Sequence, residues 1–131
     1  MLSARAIMTE NVVTISPEAS IQEAIETLLM QEFSGLPVVD KEGNLVGIVT
    51  EFAMLAMVYD DRIRNDTVAR HMTTEVLTVQ ANDPVSKVAD LCIVHRVRRV
   101  PVMDGGRLIG LIARRDVLRA LYEAKAPVCT A

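Results

Sequence analysis

The chain has 131 residues, half of them hydrophobic and only 3% aromatic, with two cysteines and two histidines. That size excludes a long multidomain enzyme, the lack of polar or low-complexity tracts excludes a disordered chain, and so few cysteines and histidines exclude a disulfide framework and argue against a zinc site. The formal net charge of −3 works against nonspecific nucleic-acid binding, but it is uneven: residues 1–59 carry two basic and eight acidic side chains, residues 60–131 twelve and nine.

The longest uncharged apolar run, residues 52–59, is far short of the roughly 20 residues of a membrane span. Met1 to Glu10 lack the apolar core of a signal peptide. The expectation is a cytoplasmic protein.

In chain order, Met8-Thr9-Glu10-Asn11-Val12-Val13-Thr14-Ile15 opens a first strand. Ile21, Ala24, Ile25, Leu28 and Leu29 follow with the i, i+3, i+4, i+7, i+8 spacing of an amphipathic helix, started by a Ser20–Glu23 capping box. Strands at 36–40 and 45–50 around a Gly-containing turn read as a hairpin, and a helix at about 51–59 comes next. Its Met54, Leu55, Met57 and Val58 leave almost no polar face, which predicts packing against the other half of the molecule or a dimer surface. The polar stretch 60–66 is a connector, and His71 reads as an exposed loop residue.

Met72-Thr73-Thr74-Glu75-Val76-Leu77-Thr78-Val79 then repeats the opening 64 residues later, and Val100-Pro101-Val102-Met103-Asp104 repeats Leu36-Pro37-Val38-Val39-Asp40 at the same offset. Between them Val85, Val88, Ala89, Cys92 and Ile93 repeat the helical stripe, with Asp83 as N-cap and Pro84 at the first helical position. A strand at 108–113 and a helix at 114–124 close the copy. Cys92 and His95 share a helix face, but no third group orients them, so a catalytic pair is not expected.

The fold class is therefore mixed, α/β in the α+β sense: two β-α-β-β-α repeats packed sheet to sheet with pseudo-twofold symmetry, since one copy alone buries too little surface. The repeats are placed at 1–59 and 68–126, with a linker at 60–67 and a C-terminal tail at 127–131. Such symmetry creates two equivalent clefts, which are common ligand sites.

The double repeat, the Met-Thr-x-x-Val openings, the Pro-Val-x-Asp strands and the Gly-hydrophobic-hydrophobic segments resemble the CBS-domain pair, or Bateman module, over about residues 3–124. The resemblance implies a regulatory module, not an enzyme, that binds an adenosine-containing ligand in the clefts. AMP, ADP, ATP, S-adenosylmethionine and NAD are the candidates. It also implies a homodimer formed through helices and a regulated protein on another chain. No catalytic residue, metal or required cofactor is expected, and neither membrane nor nucleic acid is an expected partner.

The family's ligand signature is Gly-h-h-Ser/Thr-x-x-Asp, with h hydrophobic; its hydroxyl reaches phosphate or ribose and its carboxylate the ribose diol. Gly47-Ile48-Val49-Thr50-Glu51-Phe52-Ala53 keeps the hydroxyl and loses the carboxylate. Gly110-Leu111-Ile112-Ala113-Arg114-Arg115-Asp116 does the reverse. The resemblance joins the signature of one copy to the opening of the other, whose backbone holds the adenine edge. The better candidate thus combines Asp116 with Thr9, Val12 and Val13, with Arg98, Arg99 and Arg115 facing the phosphates, because planar guanidinium groups engage two phosphate oxygens together. The second cleft combines Thr50 with Val76 and Leu77, has Ser34 and Gly35 in place of the arginines, and carries the repelling Glu51. One phosphate-competent cleft and one weak or empty cleft are expected. The competing reading is a constitutive dimerisation or interaction module with degenerate sites.

Overall fold

The computed structural model describes residues 2–125, so Cys129 and the tail expected at 127–131 lie outside the described residues. Two compact units cut across the sequence repeats: one spans Val13–Val76, and the other joins the segment ending at Val12 to the chain from Leu77 onward.

The Val13–Val76 unit contains α2 (Ile21–Gln31), β1 (Gly35–Val39), β2 (Leu45–Thr50), α3 (Glu51–Met57) and the short helices α4 (Asp61–Arg64) and α5 (Val68–His71). The Ser20 hydroxyl accepts from the Glu23 N–H at 3.0 Å and so starts α2, satisfying an orphan donor of the first turn. At the other end Glu32 takes a left-handed conformation, φ 56°, and stops the helix. The strands β1 and β2 pair antiparallel with a bulge between Val38 and Val39. Ile21, Leu36 and Val38 have no exposed surface and centre a core that also holds Leu28, Val49, Met54 and Val68.

The other unit contains α1 (Ala4–Ile7), β3 (Val79–Gln80), α6 (Val85–His95), β4 (Arg99–Asp104), β5 (Arg107–Ala113) and α7 (Arg114–Lys125). Its sheet runs β3-β4-β5, the first pair parallel and the second antiparallel, and the bulge recurs between Val102 and Met103, 64 residues after the first. Arg96, at φ 55°, ends α6 as Glu32 ends α2. Val88, Val100, Val102 and Ile112 are fully buried.

The two repeats exchange their openings. Thr9 exchanges backbone hydrogen bonds of 2.8 and 3.0 Å with Leu111 of the second repeat, and Thr73 exchanges bonds of 2.9 Å with Ile48 of the first. Each opening then returns to its own repeat, where Ile15 bridges Val38 and Val79 bridges Val102 in parallel. The crossings fall between Val12 and Val13 and between Val76 and Leu77.

Several sequence expectations need correction. The first opening forms no continuous strand, only isolated bridges at Thr9 and Ile15, and the second has a bridge at Thr73 and a strand of two residues, because each spends its length crossing from one unit to the other. Asp83 does not cap α6: its carboxylate turns back to accept from the Gln80 N–H at 2.7 Å, and extended Pro84 occupies the cap position. Leu29 and Ile93 are not core residues but 73% exposed each, at the outer edge of their stripes. The helix expected at 51–59 ends at Met57, and the connector folds into α4, which Asp60 caps through the Arg62 N–H. In the mostly apolar α3, Met54 is buried in its own unit's core whereas Leu55 is 65% exposed.

Close approach of the openings requires glycine at two equivalent positions. A Cβ at Gly47 would stand 2.6 Å from the Met72 Sδ and 2.9 Å from the Thr73 carbonyl oxygen; the three atoms nearest to one at Gly110 all belong to the Met8 side chain. Gly110→Ala and Gly47→Ala are each expected to cost about 1–3 kcal/mol by overpacking. Adding Met8→Ala recovers much of the loss at Gly110. Adding Met72→Ala recovers little at Gly47, because the backbone oxygen remains. Thermal unfolding of the two double-mutant cycles measures the difference.

Candidate functional site

The strand end of β5 and the start of α7 gather most of the residues singled out in the second repeat. Arg99 stands opposite Ala113 in the β4–β5 ladder, and Thr9 is bonded to Leu111 two residues earlier. The Arg98 carbonyl accepts from the Arg114 N–H at 2.8 Å, which pins the beginning of α7. Asp116 lies in the first turn, where the helix dipole favours a carboxylate. One of its oxygens accepts from the Ala113 N–H at 3.4 Å, and the other is 3.6 Å from the Arg119 guanidinium, with 31% of the side chain exposed. Both contacts are long, so the carboxylate keeps acceptor capacity. Arg98 and Arg115 are exposed and Arg99 half-buried.

Val12 belongs to the same compact unit as Asp116, whereas Val13 belongs to the other. Among the described residues, the backbone of residues 10–13 makes no backbone–backbone hydrogen bond, and the same holds for 74–77. The backbone groups of these segments thus lie outside the helices and sheet ladders. Arg5, just upstream, reaches Asp104 at 3.0 Å across half-exposed surface, a pair that adds little stability.

The equivalent place in the other unit has different chemistry. Gly35 stands opposite Thr50, and the Ser34 carbonyl accepts from the Glu51 N–H at 2.9 Å. The Thr50 hydroxyl accepts from the Ala53 N–H at 3.2 Å and caps α3. Val76 shares this unit with Thr50, whereas Leu77 belongs to the other. A Ser/Thr-x-x-Asp pattern at a helix start is a capping box. Each repeat thus retains one half of it: Thr50 satisfies the third-residue donor of α3, and Asp116 reaches back to the residue before α7. That reading depends on where α3 and α7 begin, and the role of the Leu111 backbone depends on its distant pairing with Thr9.

His71 is not an exposed loop residue: it ends α5, and its Nε2 lies 3.1 Å from the Asp66 carboxylate, with 22% of the side chain exposed. The Thr67 N–H, then His71 and Arg70, hold the Asp66 carboxyl below its ordinary 3.8. A depressed value means that its stabilisation is present above the unfolded pKa and is lost as pH falls through the folded one. In acid titrations followed by circular dichroism, the advantage of the wild type over Asp66→Asn should therefore shrink once pH drops below 3.8. An advantage that survives full protonation would contradict the pairing. Cys92 is buried, and burial pushes its thiol up despite the nearby Arg114, which makes it a poor nucleophile.

A shallow depression of about 270 Å³ at the hairpin end of the Val13–Val76 unit is lined by Ser16, Pro17, Glu18, Asp40, Lys41 and Glu42. Three carboxylates against one lysine suit an anion poorly. Among the described residues, no helix is long and apolar enough to cross a membrane.

Comparison with known proteins agrees with the doubled architecture. The chain is 33% identical over 117 residues to an uncharacterised protein of Methanocaldococcus jannaschii, MJ1225, covering 89% of this chain and 42% of that one. It spans between 22% and 42% of the length of the first curated relatives it matches. Among solved structures it is similar to CBSX2, a CBS-pair protein of Arabidopsis thaliana, in a crystal structure with AMP: TM-score 0.86, 30% identity, 95% of this chain and 99% of that one. It is also similar to the CBS domain pair of protein MJ0100, crystallised with 5-methylthioadenosine and S-adenosyl-L-methionine, at TM-score 0.83 and 28% identity, over 95% of this chain and 99% of that one. The CBS domain model matches twice, at residues 4–60 and 68–123, and the chain accordingly belongs to the CBS-domain family.

Proposed function

We propose that this chain is a regulatory module that binds a phosphate-bearing adenosine ligand where the opening of the first repeat meets β5 and the start of α7, and that a protein on another chain reads the binding. The observation that carries the proposal is the exchanged pairing of Thr9 with Leu111, on a strand whose last residue, Ala113, donates to Asp116 of α7 and stands opposite Arg99. In this reading Asp116 takes the ribose diol through charge-assisted hydrogen bonds. Arg98, Arg99 and Arg115 balance the phosphates, and the backbone along Thr9, Val12 and Val13 meets the adenine edge. AMP bound to CBSX2, and the two adenosine compounds bound to MJ0100, support the ligand class.

The equivalent site built on Thr50, Val76 and Leu77 is the weak one, since its hydroxyl is committed to a cap and it offers Ser34, Gly35 and Glu51 instead of guanidinium groups. The proposed module is cytoplasmic, homodimeric and without catalytic activity, with repeats at 1–59 and 68–126 about a 60–67 linker. Regulation requires that the ligand bind one arrangement of the module more tightly than another.

A second reading, a constitutive interaction module with degenerate sites, has one observation in its favour: Thr50 and Asp116 each already serve a helix start. Calorimetric titration with AMP, ADP, ATP, S-adenosylmethionine and NADH separates the two. The sensor reading expects heat from at least one adenine nucleotide with one site per chain. No heat and no thermal shift with any of the five leaves the constitutive module.

A further inference from the structure

The single helical turns α1 and α5 are equivalent, 64 residues apart, and each leads into a Met-Thr pair that seats an opening on β5 or β2. Before α5 the chain is fixed by its backbone: the Asp66 carbonyl accepts from the Ile21 N–H at 2.9 Å, and the Val68 N–H donates to the Ala19 carbonyl at 2.7 Å. After α5, the Met72 side chain fills the space a Cβ would need at Gly47, and Thr73 pairs with Ile48. A side-chain contact joins the two ends of the turn: the His71 Nε2 lies 3.1 Å from the Asp66 carboxylate, with 22% and 27% of the two side chains exposed.

The two turns differ at the points this contact joins. Where α5 has Asp66 and His71, the equivalent residues around α1 are Leu2 and Ile7, neither of which titrates. Imidazole is the side chain that changes charge between about pH 5 and 8. A neutral ring at most donates a hydrogen bond to the carboxylate; a protonated ring adds Coulomb attraction, which partial burial keeps from being fully screened. Asp66 stays ionised over that range, because the Thr67 N–H, then His71 and Arg70, hold its carboxyl below 3.8. The exposed Arg70 reaches the same carboxylate oxygen at 3.5 Å. Of the elements packed on α5, β2 has no titratable side chain and α2 has Glu23 and Glu26, both exposed, as is Glu18 in the segment before α2.

We propose that His71 and Asp66 form a proton-operated latch that tightens the seat of the second opening on β2 as pH falls, while the first opening, with Leu2 and Ile7 in their places, is insensitive. Protonation of the ring draws the end of α5 onto its start, so that local opening at Met72 and Thr73 becomes less frequent. The added stability is present while the ring is protonated and Asp66 ionised, and it is lost as pH rises. The latch requires no nucleotide and stands apart from the ligand reading.

Amide hydrogen exchange of the unmodified chain, corrected for the intrinsic pH dependence of exchange, tests the latch. From about pH 8 to about pH 5.5 the protection of the Met72, Thr73 and Ile48 amides should rise about two- to fivefold, the scale of a partly solvated ion pair. That of the Met8, Thr9 and Leu111 amides should stay constant. His71→Gln keeps a neutral donor, and Asp66→Asn keeps an acceptor for the Thr67 N–H; in each the rise at Thr73 should vanish, and either variant suffices if the other does not fold. Protection at Thr73 that ignores pH in the wild type, that rises equally at Thr9, or that rises as much in the variants overturns the latch.

Discussion

Ile112→Ala should lower the stability of the fold by about 2–5 kcal/mol, the range for truncating a buried aliphatic side chain that leaves a cavity behind. Ile112 has no exposed surface and stands opposite fully buried Val100 in the β4–β5 ladder. It also lies between Leu111, which holds the first opening, and Ala113, which carries the Asp116 contact. Loss of packing there loosens the strand that organises the candidate site, so nucleotide binding should weaken together with stability. Leu118→Ala provides the contrast: the side chain is 69% exposed, and its removal should change the stability of the dilute chain by less than about 0.5 kcal/mol. Urea unfolding at low protein concentration measures both. A loss at Ile112 no greater than that at Leu118 would mean that β5 is not anchored in a packed core.

Asp116→Ala should reduce affinity for AMP by about 10- to 100-fold, the loss of one or two hydrogen bonds to a charged acceptor. It should cost the fold less than about 1 kcal/mol, because its internal contacts, at 3.4 and 3.6 Å, are long. Thr50→Ala should do the opposite. The hydroxyl holds the Ala53 N–H at 3.2 Å, so its loss costs about 0.5–2 kcal/mol of helix capping and leaves AMP affinity unchanged. Calorimetry and thermal unfolding of the two variants side by side read this reversal. If Asp116→Ala binds AMP like the wild type, its carboxylate serves only the helix start.

Much of the scaffold was legible because local chemistry and global fold agree. The stripe from Ile21 to Leu28 buries its apolar face, Ser20 caps it, and both hairpins turn where Gly43 or Gly105 and Gly106 supply positive φ. Periodicity failed at Leu29 and Ile93, since spacing identifies an apolar face without saying whether a core or another molecule covers it. At Asp83, a short-range turn with Gln80 outcompeted the expected cap. The exchange of openings was least legible from local pattern, because Thr9 finds its partner about a hundred residues away at Leu111 and nothing near Thr9 encodes that choice; only the family resemblance implied it. The site followed the same division. Thr-x-x-Ala and Ala-x-x-Asp were visible as incomplete signatures, but their identity as complementary halves of a capping box emerges only once the helices begin at Glu51 and Arg114.

The central claim is that an adenine nucleotide sits against β5 and the start of α7 rather than at the equivalent place on β2 and α3. Backbone amide spectra recorded during an AMP titration test it most directly. The amides of Thr9, Leu111, Ala113 and Arg114 should shift with saturation, while those of Ile48, Glu51 and Thr73 stay in place. Shifts confined to the second group, or no saturable shift in either, would contradict it.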